Sequence, residues 1–461
     1  MSETAQIFSK QSKIKAFDKD HRKTINFNIG KYNHSFHKGL EQYADLEMAR
    51  QRAANVKRKA INDLDKYLIE FEQNFTQNGG KVLWAYDAKE ATDEILKILK
   101  EKAVKKVVKS KSMTTEEIEL NDFLEKNDIE SLETDLGEYI VQLAGEKPYH
   151  IVTPAMHKSK EDIAQLFHEK FDWDQHLTPT EMTKKVRGKL REKFFHADAG
   201  ITGANYIIAD TGSIAVTENE GNGILTMSMP KIHIVVVGIE KMIPSINDLN
   251  LLWPLLSTHG TGQHVTVYNT IISGPKQNQE VDGPEETYVI LLNNQRTEVL
   301  KQDEQAVALT CIRCGACLNT CPIYKNIGGH TYATTYTGPI GSVISPWLLG
   351  MKDYKHLSFA SSLCGACTEV CPVKIPLHDL LLRNRKDAVE QKLATTSERL
   401  MVKVWERVML QRKLMDIFGG RMKNFLASIF FKKAWGNKRE LPKMADKSFH
   451  KRWLEQHPES K

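Results

Sequence analysis

Cysteine is missing from residues 1–310 and from 372–461; all seven cysteines fall between Cys311 and Cys371. No thiol is left for a core position elsewhere. The odd count, in a chain of 461 residues long enough to bury a core without staples, argues against a disulfide framework. Long apolar runs are missing too. No stretch approaches the roughly 20 apolar residues that span a bilayer. The opening MSETAQIFSKQSKIK has no apolar core of a secretory signal, so a cytoplasmic protein is expected. Phosphate-binding glycine loops are absent: there is no Walker sequence and no GxGxxG after a strand, so nothing points to ATP or a dinucleotide.

The cysteines that are present carry iron–sulfur spacing. Cys311-x2-Cys314-x2-Cys317-x3-Cys321-Pro322 is a full bacterial cluster-binding run, and Cys364-x2-Cys367-x3-Cys371-Pro372 is the same run without its first cysteine. Three thiolates at i, i+3 and i+6 curl around one cluster but do not span its far corner. In two-cluster ferredoxins the last cysteine of each run crosses to the other cluster. By that rule Cys311, Cys314, Cys317 and Cys371 hold one cluster, and Cys321, Cys364 and Cys367 hold the second. Pro322 and Pro372 lack an N–H and turn the chain away after the last ligand.

The second cluster is one ligand short, because Ser361 stands three residues before Cys364. A serine oxygen is a poor iron ligand beside thiolate. A three-iron cluster, a four-iron cluster with a labile corner and a four-iron cluster with a non-cysteine ligand at or near Ser361 all fit the spacing. Structural zinc is the competing reading of CxxC pairs. The third cysteine at i+6 and the Cys-Pro endings argue for iron.

Charge is unevenly spread. The chain carries +6 overall, yet from Arg383 to the end there are 20 Lys+Arg against 9 Asp+Glu. Two amphipathic stretches, 399–418 and 422–435, lie in this basic tail. Helices packed on the body with a solvated basic face are one reading; a partner surface or peripheral contact with anionic lipid is the other. No recognition motif accompanies the charge, so nucleic-acid binding is not expected.

Along the chain, 1–74 reads as helical. Strands are expected at 81–87, 105–112 and 149–155, alternating with helices at 88–103 and 114–128. Residues 204–219, 233–240, 264–274 and 287–294 add β-branched strands. The pattern predicts an α/β domain over 75–300 with a mostly parallel, doubly wound sheet. A helical ferredoxin domain follows over 301–393, since 42 residues separate Cys321 from Cys364, too many for a minimal ferredoxin. A basic helical tail takes 394–461.

Ligands of doubly wound sheets bind beyond the carboxyl ends of the strands. Lys109 and Lys111, in KSKSM after a strand, are candidates for an anion, against an ordinary solvated turn. The acidic segment 133–138 can close on these lysines. His150 and His157 flank IVTPA and are candidate catalytic groups, although a lone histidine is more often structural. Glu218 and Glu220, in TENEGNG, place carboxylates on a glycine-rich turn, as a nucleophile or as a plain acidic turn.

Taken together, VVKSKSM (107–113), ETDLGEYIVQL (133–143), HIVTPAMHK (150–158), ADTGSIAVTENEGNG (209–223), CIRCGACLNTCP (311–322), YTGPIGSVISP (336–346) and CGACTEVCPVKIPL (364–377) resemble the lactate utilization protein B family, across nearly the whole chain. The resemblance implies a LUD domain, similar in fold to CoA transferases and sugar-phosphate isomerases, followed by a helical two-cluster ferredoxin domain. It implies an iron–sulfur electron-transfer subunit of a complex oxidising L-lactate to pyruvate, for use as carbon and energy source. The implied partners are an A-type and a C-type subunit. In coenzyme A transferases a glutamate near a Glu-Asn-Gly turn carries the acyl group, a context similar to that of Glu218 and Glu220. Fold alone does not carry function. An acyl- or CoA-handling enzyme with structural clusters is therefore the alternative. An electron-transfer subunit for another 2-hydroxy acid is a third reading.

Overall fold

The computed structural model describes residues 2–436 and 440–460. Two compact units divide the chain, Met1–Ala388 and Val389–Lys461.

The first unit is organised by a six-stranded, all-parallel sheet. Its strands in chain order are β1 (Lys81–Ala85), β2 (Lys106–Lys109), β3 (Glu130–Glu133), β4 (Ala199–Thr202), β7 (Ile232–Gly238) and β10 (Glu286–Leu292), with spatial order β1-β10-β7-β4-β2-β3. A smaller mixed sheet, order β8-β5-β6-β9, is built from β5 (Tyr206–Ile208), β6 (Ser213–Glu218), β8 (Met242–Ile243) and β9 (Tyr268–Ile272). Central position explains composition. β7 reads IHIVVVG and is buried along its whole length, as a parallel strand covered on both faces must be. Its alternate residues serve two cores. Val235 and Val237 pack with Phe71 and Phe75 of the helix Leu64–Gln77, while Ile234 and Val236 pack with Ile95 and Leu99 of the helix Ala88–Glu101. The expected α/β architecture with a parallel sheet is therefore present, helices on both sides.

Sequence and structure part in four places. Residues 149–155, expected as a strand, form turns. The His150 ring accepts the N–H groups of Val152 (3.1 Å) and Thr153 (3.2 Å), and Pro154 has none to give a ladder. The helix expected over 114–128 is two, Met113–Glu117 and Leu120–Glu125, separated by Glu119 at φ +50°. The strand expected over 204–219 folds back on itself as the β5–β6 antiparallel pair. Strands β3 and β4 were not anticipated. β4 reads AGIT, and its glycine is a packing requirement: a Cβ on Gly200 would lie 1.9 Å from the Thr226 carbonyl oxygen.

The cysteine-bearing segment is helical, with longer helices at Gly338–Leu348, Met351–Phe359 and Leu377–Glu390. Pro322 opens a short helix, Pro322–Ile327, rather than simply ending one; its missing N–H costs nothing at a helix start. The N-terminal helices, two of them capped by Asp18 and Asp45, bind this segment to the sheet. Thr4 donates to the Asp353 carbonyl (2.6 Å). Arg50 donates to the carbonyls of Glu369 (2.7 Å) and Cys371 (2.9 Å). One core runs through Ile29, Tyr206, Leu255, Leu318, Val343 and Leu381.

The second unit is helical, with its longest helices at Thr396–Leu410 and Gly420–Phe430. Thr395 and Glu398 form a reciprocal cap at the first of these. Among the described residues no helix is long and apolar enough to cross a membrane.

Candidate functional site

Four thiols share one cavity. Cys311, Cys314, Cys317 and Cys371 line it with Ile151, Ile312, Ile340 and Val373, and Arg313 is the one charged side chain on its wall. Cys314, Cys317 and Cys371 are 7–9% exposed. The thiols raise one another: Cys317 is pushed well up by burial and then by Cys311 and Cys314, and Cys371 to about 11 by burial, with Cys311 adding to it. Buried thiolates crowded this way are unstable alone and become favourable only around a multivalent cation. Backbone N–H groups are already aimed at sulfur, from Arg313 to Cys311 (3.4 Å) and from Ile375 to Cys371 (3.4 Å).

A second set lies nearer the surface. Cys321 and Cys364 both act on Cys367, which burial raises to about 11. Tyr324 N–H points at the Cys321 sulfur (3.5 Å). Cys364 is exposed, and the Ala366 N–H and the Ser362 hydroxyl hold its thiol below the usual value. The Ser361 hydroxyl accepts the Leu363 N–H at 3.1 Å. All seven cysteines are free of disulfides. Soft donors alone, grouped four and three, with N–H donors on sulfur, fit iron–sulfur clusters.

Beyond the carboxyl ends of β2, β4 and β7 opens a cavity of about 370 Å³. It reaches from Lys111, Asp135, Glu218 and Glu220 to Lys241, and onward to Arg313, Cys314 and Tyr336. The strand-end pocket and the first thiol set are thus separated only by the Cys311–Cys314 loop.

The residues singled out in the sequence fare differently here. Lys109 is fully buried away from the cavity, its ammonium on Glu133 (2.6 Å), Thr115 (2.8 Å) and Glu116 (3.4 Å). Lys111 lines the cavity and donates to the Val152 carbonyl at 2.6 Å. Glu218 accepts the N–H groups of Gly223 (2.7 Å) and Ile224 (2.8 Å), so both its oxygens cap the helix Asn222–Ser228. Glu220 accepts the Leu136 N–H at 3.1 Å; desolvation and then the Asp135 charge raise its carboxyl. His150 lines a neighbouring cavity with Asn319, and burial holds its ring at about 3, hence neutral. His157 pairs with Glu146 at 2.7 Å and stacks on Tyr149.

What the sequence did not disclose is a buried charge network joining the sheet to the cysteine segment. Arg296, 1% exposed, contacts Glu240 (2.5 Å) and Glu117 (2.8 Å); Arg313 reaches Glu240 (3.3 Å) and lies over the Tyr336 ring (4.3 Å); Tyr336 donates to Glu117 (2.5 Å). Burial and then the Arg296 charge set Glu240, the charge prevailing, at about 2. Lys57 donates to the carbonyls of Glu240 (2.8 Å) and Met242 (2.9 Å), and burial brings it to about 7. Lys241 is lowered to about 8 by burial, then by Arg313. Gly238 makes room for the network: a Cβ there would lie 2.1 Å from the Glu240 carboxylate. The one available signal was Glu-Lys one residue past the end of the mostly apolar β7.

Comparison with known proteins agrees with this architecture. Residues 68–292 match the LUD domain family, and residues 307–375 match the 4Fe-4S dicluster domain family. A protein named Lactate utilization protein B from Bacillus cytotoxicus is 43% identical over 432 residues, covering 91% of this chain and 90% of that protein. One of the same name from Bacillus cereus is 46% identical over 369 residues, covering 80% and 78%. Among solved structures, a duf162 family protein from Deinococcus radiodurans aligns with 50% of this chain and 98% of its own, at 16% identity and a TM-score of 0.29. With its thiols grouped for iron–sulfur clusters behind a LUD sheet, and with relatives this similar over nearly their whole length, the chain belongs to the lactate utilization protein B family.

Proposed function

We propose that this chain is the iron–sulfur electron-relay subunit of a complex that oxidises L-lactate to pyruvate, with A-type and C-type subunits as partners. The observation that carries the reading is the grouping of all seven cysteines into two sets, one of which backs onto the strand-end cavity. Cys311, Cys314, Cys317 and Cys371 would hold a four-iron cluster, and Cys321, Cys364 and Cys367 a second one, completed at or near Ser361 or left with an open corner. Such clusters accept and pass on single electrons, which suits a two-electron oxidation delivered in two steps.

The protein's own contributions are separate from that chemistry. Backbone N–H groups of Arg313, Ile375 and Tyr324 support thiolate sulfur. Arg313, Lys241 and Lys57 set positive charge against Cys311, which stabilises added negative charge nearby. The acyl-transfer alternative fits less well, because both oxygens of Glu218 are already spent on the Gly223 and Ile224 N–H groups.

The test is reconstitution of the anaerobically purified chain with its A- and C-type partners. Reduction of the clusters by L-lactate, with pyruvate as product, is expected, and Cys317→Ala removes it. Cluster reduction by a different 2-hydroxy acid alone would reassign the substrate. Acyl transfer to CoA that depends on Glu218 or Glu220, with no cluster reduction, would replace the relay by the alternative.

A further inference from the structure

The strand-end cavity is walled by two largely buried cationic side chains, Lys241 and Arg313. Lys241 is 8% exposed, lines the cavity and has no hydrogen-bond or ion-pair partner for its ammonium among the described residues. The Arg313 side chain, also 8% exposed, lines the same cavity; its Nη2 reaches Glu240, but its Nη1 is buried with no partner. A buried donor without an acceptor is unfavourable, and an acceptor placed in the cavity would satisfy the Arg313 Nη1 with the Lys241 ammonium beside it. Away from these two cations the cavity carries three carboxylates, Asp135, Glu218 and Glu220, against one further cation, Lys111, whose ammonium already donates to the Val152 carbonyl. A multiply charged oxyanion such as phosphate would be repelled by these three. A monoanion whose other end donates a hydrogen bond is matched at both ends.

We infer that this cavity binds a small organic carboxylate bearing a hydroxyl, with its carboxylate on Lys241 and the free Nη1 of Arg313, next to the Cys311–Cys314 loop. A guanidinium and an ammonium side by side suit a planar carboxylate. A ligand held there lies next to the first thiol set. The choice of L-lactate as probe rests on the proposed function; the site itself rests on the unpaired cations and the cavity.

The experiment is calorimetric titration of L-lactate, pyruvate and inorganic phosphate into the anaerobically purified full chain with its iron and sulfide measured. Saturable L-lactate binding is expected, weakened about tenfold or more by Lys241→Met and largely restored by Lys241→Arg. Cluster EPR spectra that change with added L-lactate in the wild type and not in Lys241→Met would support the same site. No saturable binding to chain of full iron content would overturn the inference and leave the relay standing. Lactate binding to chain that holds zinc and no sulfide would do the reverse. Phosphate bound as tightly as L-lactate would mean a general oxyanion site and overturn the carboxylate assignment. If Lys241→Met shifts only the cluster potential and leaves binding intact, the cations serve the cluster alone and the inference falls.

Discussion

The two thiol sets were built from one repeated motif and differ most at one position. Cys314, Cys317 and Cys371 are buried, and the cavity they share with Cys311 is otherwise apolar apart from Arg313; in the second set Cys367 is equally buried, but Cys364 is exposed and has a lowered thiol. The first is also wired to the sheet through Arg313 and Glu240, while Ser361, at the vacant position of the second run, only tightens a local turn. The difference teaches direction. A buried set beside a strand-end cavity is suited to meet a small ligand, and an exposed set is suited to meet another protein.

The largest effect should come from breaking the sets one at a time. Cys317→Ala should lower iron from about eight to about four per chain and weaken the whole first unit, whereas Cys364→Ala, at the exposed position of the second set, should lose about as much iron but cost little stability. Iron analysis with chemical denaturation checks both. Equal losses of stability would erase the distinction between them.

Next comes the charge network that marks the first set. Arg296→Met leaves Glu117 buried without a cation and Glu240 with only Arg313, and should cost about 3–5 kcal/mol by denaturant titration. The same network gives a pH signature. Glu240 sits at about 2 in the folded chain against an ordinary 4.5, so its contribution is fully present above pH 4.5 and is lost as pH falls toward 2. Glu240→Gln should flatten that acid limb. An unchanged acid profile would show that the pair does not hold the two regions together.

Exposure gives a smaller, kinetic contrast. In chain stripped of iron, Cys364 should react with iodoacetamide at least about tenfold faster than Cys314 or Cys317, because a thiolate both exposed and stabilised by the Ala366 N–H is the better nucleophile. Peptide mapping of alkylated sites at early times measures it. Uniform labelling would contradict the burial difference.

How much of this was readable in advance depends on distance along the chain. The thiol spacing is local, so both runs could be read from the sequence. The sheet was legible where strands are seven residues long and carry an apolar β-branched run, as in β7 and β10, and illegible where they are only four residues long and lack such a run, as in ESLE (β3) and AGIT (β4). Residues 149–155 have the composition of a strand, yet the His150 ring takes the N–H groups a ladder needs. Lys109 and Lys111 were equivalent in sequence; only the fold turns Lys109 to Glu133 and leaves Lys111 at the cavity. Arg296 pairs with Glu117 and Glu240, far away in sequence, and no periodicity records such partners.

The most direct measurement is iron, sulfide and EPR on the anaerobically purified full chain, before and after brief exposure to air. The account predicts about eight irons, reduced-cluster signals with dithionite, and, on air exposure, an oxidised three-iron signal from one cluster only, the one held by Cys321, Cys364 and Cys367. Zinc without sulfide, or both clusters degrading together, would contradict it.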